Sequence, residues 1–332
     1  MKRSNVAIFV PHKGCPNQCT FCNQNEITGC TSNVTKEDVI SAVETSLYSG
    51  GYSKESEIAF FGGSFTGIDP EYMEMLLQAA YQYVSQGLFK GIRISTRPDY
   101  INQEILDTLK KYGVTSIELG AQSMDDEVLK ANKRGHSAQN VVEACELIKQ
   151  NGFSLGLQMM TGLYKSDEKK DIYTAQQLSL LQPDTMRIYP TIVLKYTELA
   201  ILCLTGKYYP QSLEEAVNLC AKLLDFFDNM NIKVIRLGLH DSPSLKKEYI
   251  AGPYHPAFRE LCESKLFVDK FLNEVKNERY TSYVAEVNPS YLSKALGQKK
   301  ANIECLRDSG YDVRIIQNQQ IQDGKFKLTP IE

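Results

Sequence analysis

The chain alternates between short apolar runs and amphipathic segments. Six apolar runs are rich in β-branched and aromatic residues and are nearly continuous in hydrophobicity. Such runs are typical of strands that are buried on both faces of a parallel sheet. They lie at residues 5–11, 56–63, 91–98, 114–123, 153–163 and 185–194. The pattern therefore predicts six strands separated by helices.

The helical segments between these runs have recognisable ends. The N-terminal signals are Asp69 followed by Pro70, Ser137, and Thr35 paired with Asp38 in a capping-box pattern. Gly113 and Gly152 mark two predicted helix ends. Strands that alternate with helices favour a parallel α/β design over an antiparallel one. The sequence predicts an α/β fold, a partial TIM-type (β/α)6 barrel with a small C-terminal α+β extension.

The last third of the chain departs from this rhythm. A helical pattern at 211–230 leads to a seventh strand-like run at 232–240, and residues 241–256 are predicted to be a loop. A long helical pattern then continues to Asn277, and the tail shows the order strand–helix–strand–strand. We therefore expect a barrel core at 1–262 and a helical, βαβ-like extension at 263–332.

Composition restricts the class of protein without identifying its chemistry. The chain has 332 residues, a net charge of −3 and 23% charged residues, which is typical of a globular protein. Its first apolar run is too short for a signal peptide, and no long apolar stretch follows, so we expect a cytoplasmic protein without membrane contact. The slightly acidic balance argues against a globally basic nucleic-acid binder.

Three of the nine cysteines are closely spaced in "VPHKGCPNQCTFCNQ". Cys15, Cys19 and Cys22 have the spacing C-x3-C-x2-C and follow the first predicted strand, where barrel enzymes hold their active sites. In a reducing compartment such a group is more typical of metal ligands than of disulfides. Structural zinc and electron-transfer 4Fe–4S sites usually take four protein ligands. Three thiolates would leave one iron of a 4Fe–4S cluster without a protein ligand. Cys30 is a rival fourth ligand that would close the cluster, and a zinc site is a further alternative.

The loop resembles the C-x3-C-x-aromatic-C signature of the radical S-adenosylmethionine (SAM) enzymes, with Phe21 at the aromatic position. The resemblance implies a 4Fe–4S cluster whose open iron is chelated by SAM. It implies reductive cleavage of SAM to methionine and a 5′-deoxyadenosyl radical that abstracts hydrogen from an unidentified substrate. An electron donor such as flavodoxin or ferredoxin would be required. The alternatives are a zinc-dependent enzyme and a non-catalytic iron–sulfur binding or regulatory protein.

Longer motifs resemble the catalytic subunit of the Elongator complex and its relatives. They are "STRPDY" at 95–100, "IELGAQSMDDEVLKANKRGH" at 117–136, "RIYPTIVLKYTELAILCLTGKYY" at 187–209 and "GPYHPAFREL" at 252–261. That family modifies a wobble uridine of transfer RNA and carries an acetyltransferase domain. The tail of this chain is too short for such a domain, so we do not expect the complete acetyl-CoA-dependent reaction. Transfer RNA is a candidate substrate from the resemblance.

The resemblance also implies individual site residues. The expected cofactor-binding residues are Phe21, Gly62, Gly63, Ser64, Gln122, Arg134 and Gln158. The stretch 62–64 would bind the amino group of SAM through backbone carbonyls, with Ser64 where the family has an acid. Gln122 and Arg134 would contact SAM, since a guanidinium can bind a carboxylate bidentately. Gln158 would hydrogen-bond the ribose.

Three further residues are candidates for the substrate side of the site. Tyr189 lies near the end of the sixth predicted strand, His240 follows the seventh strand-like run, and His255 lies in a Pro/Gly-rich loop. A structural role remains open for each of them, because a histidine often serves as a hydrogen-bonding partner and Tyr189 could fill the core. We therefore treat these residues as catalytic candidates.

Overall fold

Seven parallel strands form the main sheet in the computed structural model, which describes residues 5–10, 19–23 and 33–331. In spatial order they are β1 (Val6–Val10), β2 (Glu57–Gly62), β3 (Gly91–Thr96), β4 (Val114–Gln122), β5 (Ser154–Thr161), β6 (Thr185–Pro190) and, numbered in chain order, β8 (Lys233–Leu237). Within the described residues the edge strands β1 and β8 do not pair with each other, so the sheet is an open, curled half-barrel. The predicted partial barrel is confirmed, and the run at 232–240 supplies a seventh strand.

Helices connect successive strands of this sheet. They are α1 (Lys36–Ser49), α2 (Pro70–Ser85), α3 (Gln103–Lys111), α4 (Asp126–Ala131), α5 (Ala138–Gln150), α6 (Glu168–Leu180), α7 (Glu198–Leu204) and α8 (Leu213–Asn229). The predicted caps are confirmed, because Asp69 accepts from the Tyr72 amide, Ser137 accepts from the Asn140 amide, and the capping box of Thr35 with Asp38 is complete. In the described ranges no helix combines the length and apolarity that crossing a bilayer requires.

The main core lies between the sheet and these helices. Ile58, Ile92 and Ile117 from adjacent strands are fully buried, as are Leu76 and Leu106 from α2 and α3. Alternate residues of each strand point to the opposite, concave face. The face that packs on the helices explains the buried apolar positions of each strand, and the other face lines the half-barrel.

The C-terminal region has its own sheet and core. Its elements are α10 (Phe258–Val275), β10 (Ser282–Val287), α11 (Leu292–Leu296), α12 (Ala301–Asp308), β11 (Asp312–Gln317) and β12 (Phe326–Pro330). β10 pairs parallel with β11 and antiparallel with β12, which confirms the predicted strand–helix–strand–strand order. Helix α10 carries Cys262 in the main core and Phe271 in the second core. The proposed division after residue 262 therefore falls within one continuous helix and stays a prediction.

Two predicted boundaries are wrong. The run at 185–194 is two strands, because β6 ends at Pro190, which has no amide hydrogen for a ladder bond, and β7 (Val193–Leu194) follows separately. The segment at 241–256 is not only loop, since it contains α9 (Pro243–Glu248) and β9 (Tyr249–Ala251). Ser242 caps α9 by accepting from the Leu245 amide, and β9 pairs antiparallel with β7.

Candidate functional site

The described part of the cysteine loop lies at the carboxyl edge of the sheet and is anchored by distant segments. The Thr20 amide donates to the Asn132 carbonyl at 3.3 Å, and Thr20 Oγ1 donates to Asn132 Oδ1 at 2.8 Å. The carbonyl of Thr20 accepts from the Leu199 amide at 2.8 Å. The connection between α4 and α5 and the start of α7 therefore fix the loop after β1.

Cys19 and Cys22 share a tight turn in this segment. The Cys22 amide donates to the Cys19 carbonyl at 3.1 Å, and Cys19 is 6% exposed. In the part of the chain that the structure describes, no group of three His, Cys, Asp or Glu side chains could hold a metal ion. Cys15 and Cys30 lie outside the described residues. The ligand set of three cysteines, and the rival role of Cys30, therefore stay predictions.

Phe21 anchors the turn between the two cysteines. Its ring packs against a small apolar cluster that includes Val193, Leu199 and Tyr208. These contacts join the loop to β7 and α7, which follow the sixth strand of the sheet. The aromatic position of the motif is therefore explained by packing that orients the loop, and a direct contact with a cofactor stays a prediction.

Arg134 contacts the loop directly. Its Nη1 donates to Cys19 Sγ at 3.2 Å, and its Nη2 donates to the Gly120 carbonyl at 2.6 Å. Its Nε is buried without a hydrogen-bond partner. The sequence prediction placed Arg134 at the cofactor site, and the structure brings it beside a predicted cluster ligand at the end of β4.

The end of β2 requires glycine at one position. Gly62 has φ +130°, and a Cβ there would lie 2.1 Å from the Val10 carbonyl oxygen of β1. The neighbouring Ser64 is buried, and its Oγ lies 2.8 Å from Thr96 Oγ1 and accepts from the Arg97 amide at 3.3 Å. Since the Ser64 side chain joins β2 to β3, a ligand contact at 62–64 would come from the backbone.

Gln122 ends β4 in an unusual conformation. Its φ is +66°, and the pairing of β4 with β5 shifts register between Gly120 and Gln122. A left-handed conformation is uncommon for a residue other than glycine, and such positions cluster at functional sites. The Oε1 atom of Gln122 is buried without a hydrogen-bond partner. The carboxyl end of β4 therefore carries a residue with an unsatisfied buried acceptor.

Several unsatisfied polar atoms lie at or near this edge. They are Ser95 Oγ, Gln122 Oε1, Arg134 Nε and Thr191 Oγ1. Buried polar atoms are almost always hydrogen-bonded in folded proteins. A group that includes both donors and acceptors therefore fits a polar ligand at the carboxyl ends of β3, β4 and β6.

A charged network lines the concave face below this edge, and sequence reasoning missed it. Glu118 is 1% exposed and accepts from Arg93 Nη1 at 2.9 Å, from Arg187 Nη2 at 3.0 Å and from Gln158 Nε2 at 3.1 Å. Arg187 Nε also lies 2.7 Å from a Glu118 oxygen. The predicted ribose contact Gln158 is thus part of this network. The available signal was the recurrence of charges at alternate positions inside otherwise apolar strands.

Glu57 completes the network on β2. It lies 2.7 Å from Arg93 Nε and accepts from Ser116 Oγ. Burial would raise the pKa of Glu57, but the hydrogen bond from Ser116 and the charge of Arg93 outweigh burial and hold this pKa below its usual value. The lower part of the half-barrel is therefore filled by paired charges and carries an ionised carboxylate at neutral pH.

The three substrate-side candidates lie in different parts of the structure. Tyr189 lies on the concave strand face beside Arg187, and burial raises the pKa of its hydroxyl. His240 is exposed and lines a separate cavity of about 620 Å³ with Arg236 and Lys294. His255 accepts at Nδ1 from the Ala257 amide at 3.1 Å, at the start of α10. Its second ring nitrogen is the one that a substrate could use.

His136 is a buried residue that sequence reasoning did not assign. It is 7% exposed, its Nε2 lies 3.3 Å from the Ala121 carbonyl, and its Nδ1 lies 4.0 Å from Asp99. Burial and the nearby charge of Arg134 lower the pKa of His136 to about 4. The ring is therefore neutral at physiological pH and packs beneath the connection that carries Arg134.

Comparison with protein families gives a result that agrees with this geometry. A family model described as "Radical SAM superfamily" matches residues 9–175, which is half of the chain. A second model, described as "Radical_SAM C-terminal domain", matches residues 183–267. The second match ends inside α10, close to the point where the main core gives way to the second core.

Two curated relatives each match about half of the chain. Elongator complex protein 3 of Saccharomyces cerevisiae is 32% identical over 188 residues, which are 51% of this chain and 34% of the relative. A tRNA uridine(34) acetyltransferase of Methanocaldococcus infernus is 30% identical over 184 residues, which are 48% of this chain and 34% of the relative. The match thus covers about one third of the length of these relatives, and it confirms the resemblance to the Elongator family.

A solved structure shares the fold. An Elp3 from Methanocaldococcus infernus, truncated at its N-terminus, superposes with a TM-score of 0.65 and 20% sequence identity. The superposition covers 87% of this chain and 68% of that chain. Because the family model spans half of the sequence and the open half-barrel agrees with it, we conclude that the protein is an enzyme of the radical SAM superfamily.

Proposed function

We propose that the protein holds a 4Fe–4S cluster through Cys15, Cys19 and Cys22 and uses it to cleave SAM reductively. The observation that carries this proposal is the position of Cys19 and Cys22 on one turn, with Cys19 Sγ 3.2 Å from the buried guanidinium of Arg134. When bound, a cluster with one open iron supplies the electron that cleaves the sulfonium and gives a 5′-deoxyadenosyl radical for hydrogen abstraction. The donor set of thiolates suits an iron–sulfur cluster.

The chain supplies binding and orientation for this chemistry. The backbone of Gly62, Gly63 and Ser64 would take the amino group of SAM, since the absent side chains permit close approach. Gln122 would satisfy its buried Oε1 through a donor of the ligand. Gln158 would take the ribose from the concave face, where Glu118 holds its amide in place.

The proposed substrate contacts come from other segments than the proposed SAM contacts. Tyr189 would contact the substrate from the concave face of β6, just above the charged network. His240 and His255 would contact it from the segments that follow β8. The buried ion pairs of Glu118 fill the lower half-barrel, so the reaction would take place at the carboxyl edge.

The electron donor would be a low-potential protein such as flavodoxin or ferredoxin. For the substrate we infer a transfer RNA. The support comes from the two relatives that are 30% and 32% identical, of which one is named a tRNA uridine(34) acetyltransferase. The matched region covers only about one third of each relative, so the acetyl transfer is not part of the proposal.

Anaerobic reconstitution with iron and sulfide tests the proposal. We expect about four irons per chain and an electron paramagnetic resonance (EPR) signal after reduction with dithionite. Addition of SAM should then release 5′-deoxyadenosine, measured by chromatography, and bulk transfer RNA should increase its amount. A chain that binds zinc instead of iron, or a reduced cluster that releases no 5′-deoxyadenosine, would refute the proposed function.

Variants of the cysteines test the ligand set. Replacement of Cys15, Cys19 or Cys22 by Ala should abolish the assembled cluster, because each supplies one corner. Cys30→Ala is the matched control and should retain the iron content and spectrum of the wild-type protein. An equal loss of iron in the Cys30 variant would show ligation by four cysteines.

A further inference from the structure

Arg134 connects the cysteine loop with the carboxyl end of β4. Its guanidinium donates from Nη1 to Cys19 Sγ at 3.2 Å and from Nη2 to the Gly120 carbonyl at 2.6 Å. The residue is 6% exposed, so these bonds form in surroundings of low dielectric constant. A buried, charged donor therefore contacts the sulfur of a predicted cluster ligand 115 positions away in the sequence.

The position of Arg134 is fixed by the protein itself. Its amide donates to the Leu129 carbonyl at 3.0 Å, and its carbonyl accepts from Arg97 Nη2. Arg97 is in turn held by Asp99, whose carboxylate oxygens lie 2.9 Å from Nε and 2.8 Å from Nη2. This bidentate pair holds the segment that carries Arg134. Contacts within the protein therefore hold Arg134 next to Cys19.

Hydrogen bonds to the sulfur atoms of an iron–sulfur cluster tune its reduction potential. Reduction adds negative charge, and a cationic donor at a ligand sulfur stabilises the reduced state more than a neutral donor does. We infer that Arg134 is a positioning residue that raises the reduction potential of the cluster through its bond to Cys19 Sγ. This inference rests on the proposed function, because it requires Cys19 to be a cluster ligand.

Lys133 provides a matched control for the charge of Arg134. It precedes Arg134 in the sequence and carries the same charge, but its side chain is 55% exposed and pairs with Glu198. Exposed charges interact weakly through solvent of high dielectric constant. If only the total charge near the loop mattered, removal of either cation would shift the potential. If the bond to Cys19 Sγ matters, only removal of Arg134 will do so.

The experiment is an EPR-monitored redox titration of reconstituted protein without SAM, so that cofactor binding by Arg134 does not contribute. The proteins are the wild type, Arg134→Gln, Arg134→Lys and Lys133→Gln. We expect a lower midpoint potential in Arg134→Gln and an unchanged potential in Lys133→Gln. Arg134→Lys keeps the charge but loses the two-pronged donor. Its potential should therefore lie between those of Arg134→Gln and the wild type.

Resonance Raman spectroscopy supplies a second readout, because loss of the bond to a cysteine sulfur should shift the Fe–S(Cys) stretching bands. Wild-type potentials and bands in the Arg134 variants would overturn the inference, as would an equal shift in Lys133→Gln. If Arg134→Gln assembles no cluster, Arg134→Lys provides the test. A wild-type midpoint potential and wild-type Fe–S(Cys) bands in Arg134→Lys would then overturn the inference. Absence of a cluster from the wild-type protein would instead refute the proposed function.

Discussion

Removal of the Glu118 carboxylate should destabilise the half-barrel strongly. The perturbation is Glu118→Gln, which keeps the shape of the side chain and removes its charge. Glu118 is 1% exposed and is the carboxylate that lies within 3.0 Å of both Arg93 and Arg187. Arg93 retains its bond to Glu57 at 2.7 Å, so the main loss falls on Arg187.

The magnitude follows from the burial of these groups. The side chains of Arg93 and Arg187 are 12% and 18% exposed, so water replaces the lost carboxylate poorly. Breaking a buried ion pair by removing one partner costs about 3–5 kcal/mol, because a buried charge is left uncompensated. Folded domains are stable by about 5–15 kcal/mol in total. The variant should therefore lose a large fraction of its free energy of unfolding.

Urea denaturation followed by far-ultraviolet circular dichroism measures this loss, since the chain has no tryptophan to report by fluorescence. Glu104→Gln, at an exposed position of α3, is the matched control and should change the free energy of unfolding by less than about 0.5 kcal/mol. The double variant Glu118→Gln/Arg187→Met removes both charges and should be more stable than Glu118→Gln alone. A loss below about 1 kcal/mol in Glu118→Gln, or additive losses in the double variant, would refute the reasoning.

Two further predictions concern the backbone at the cofactor edge and the buried imidazole. Gly62→Ala should destabilise the protein by about 3 kcal/mol or more in thermal unfolding, because its Cβ would lie 2.1 Å from the Val10 carbonyl. Gly87→Ala, at φ +69° with no atom within 4 Å, should cost only about 1 kcal/mol, and equal losses would contradict this account. The pKa of His136 is lowered to about 4, so the unfolded chain takes up a proton near pH 6.5 and the native state does not. The wild type should therefore lose about 3 kcal/mol of stability relative to His136→Asn as the pH falls from 7.5 to 4. If the urea midpoints of the two proteins change in parallel across that range, the pKa of His136 is not lowered.

Much of the architecture could be predicted because its signals are local. A strand buried on both faces needs a continuous apolar run, and a helix needs a cap within one turn of its start. Thr35 and Ser137 therefore identified their helices correctly from a few neighbouring residues. The helix within 241–256 was missed although Ser242 followed by Pro243 gives the same kind of start signal as Asp69 with Pro70. It has only six residues, and it depends on burial of Leu245 against other elements, which the neighbouring sequence does not report.

The amino-acid sequence by itself determined the order of the main strands and helices, the cysteine spacing and the family to which the chain belongs. The tertiary structure alone decided which side chains meet. Cys19 meets Arg134 across 115 residues because the loops that carry them come together at the carboxyl edge of the sheet. Glu118 meets Arg187 across 69 residues because both side chains project from strands onto the concave face. Such pairings depend on strand register and sheet curvature, which are set by the packing of the whole chain and not by its neighbouring residues.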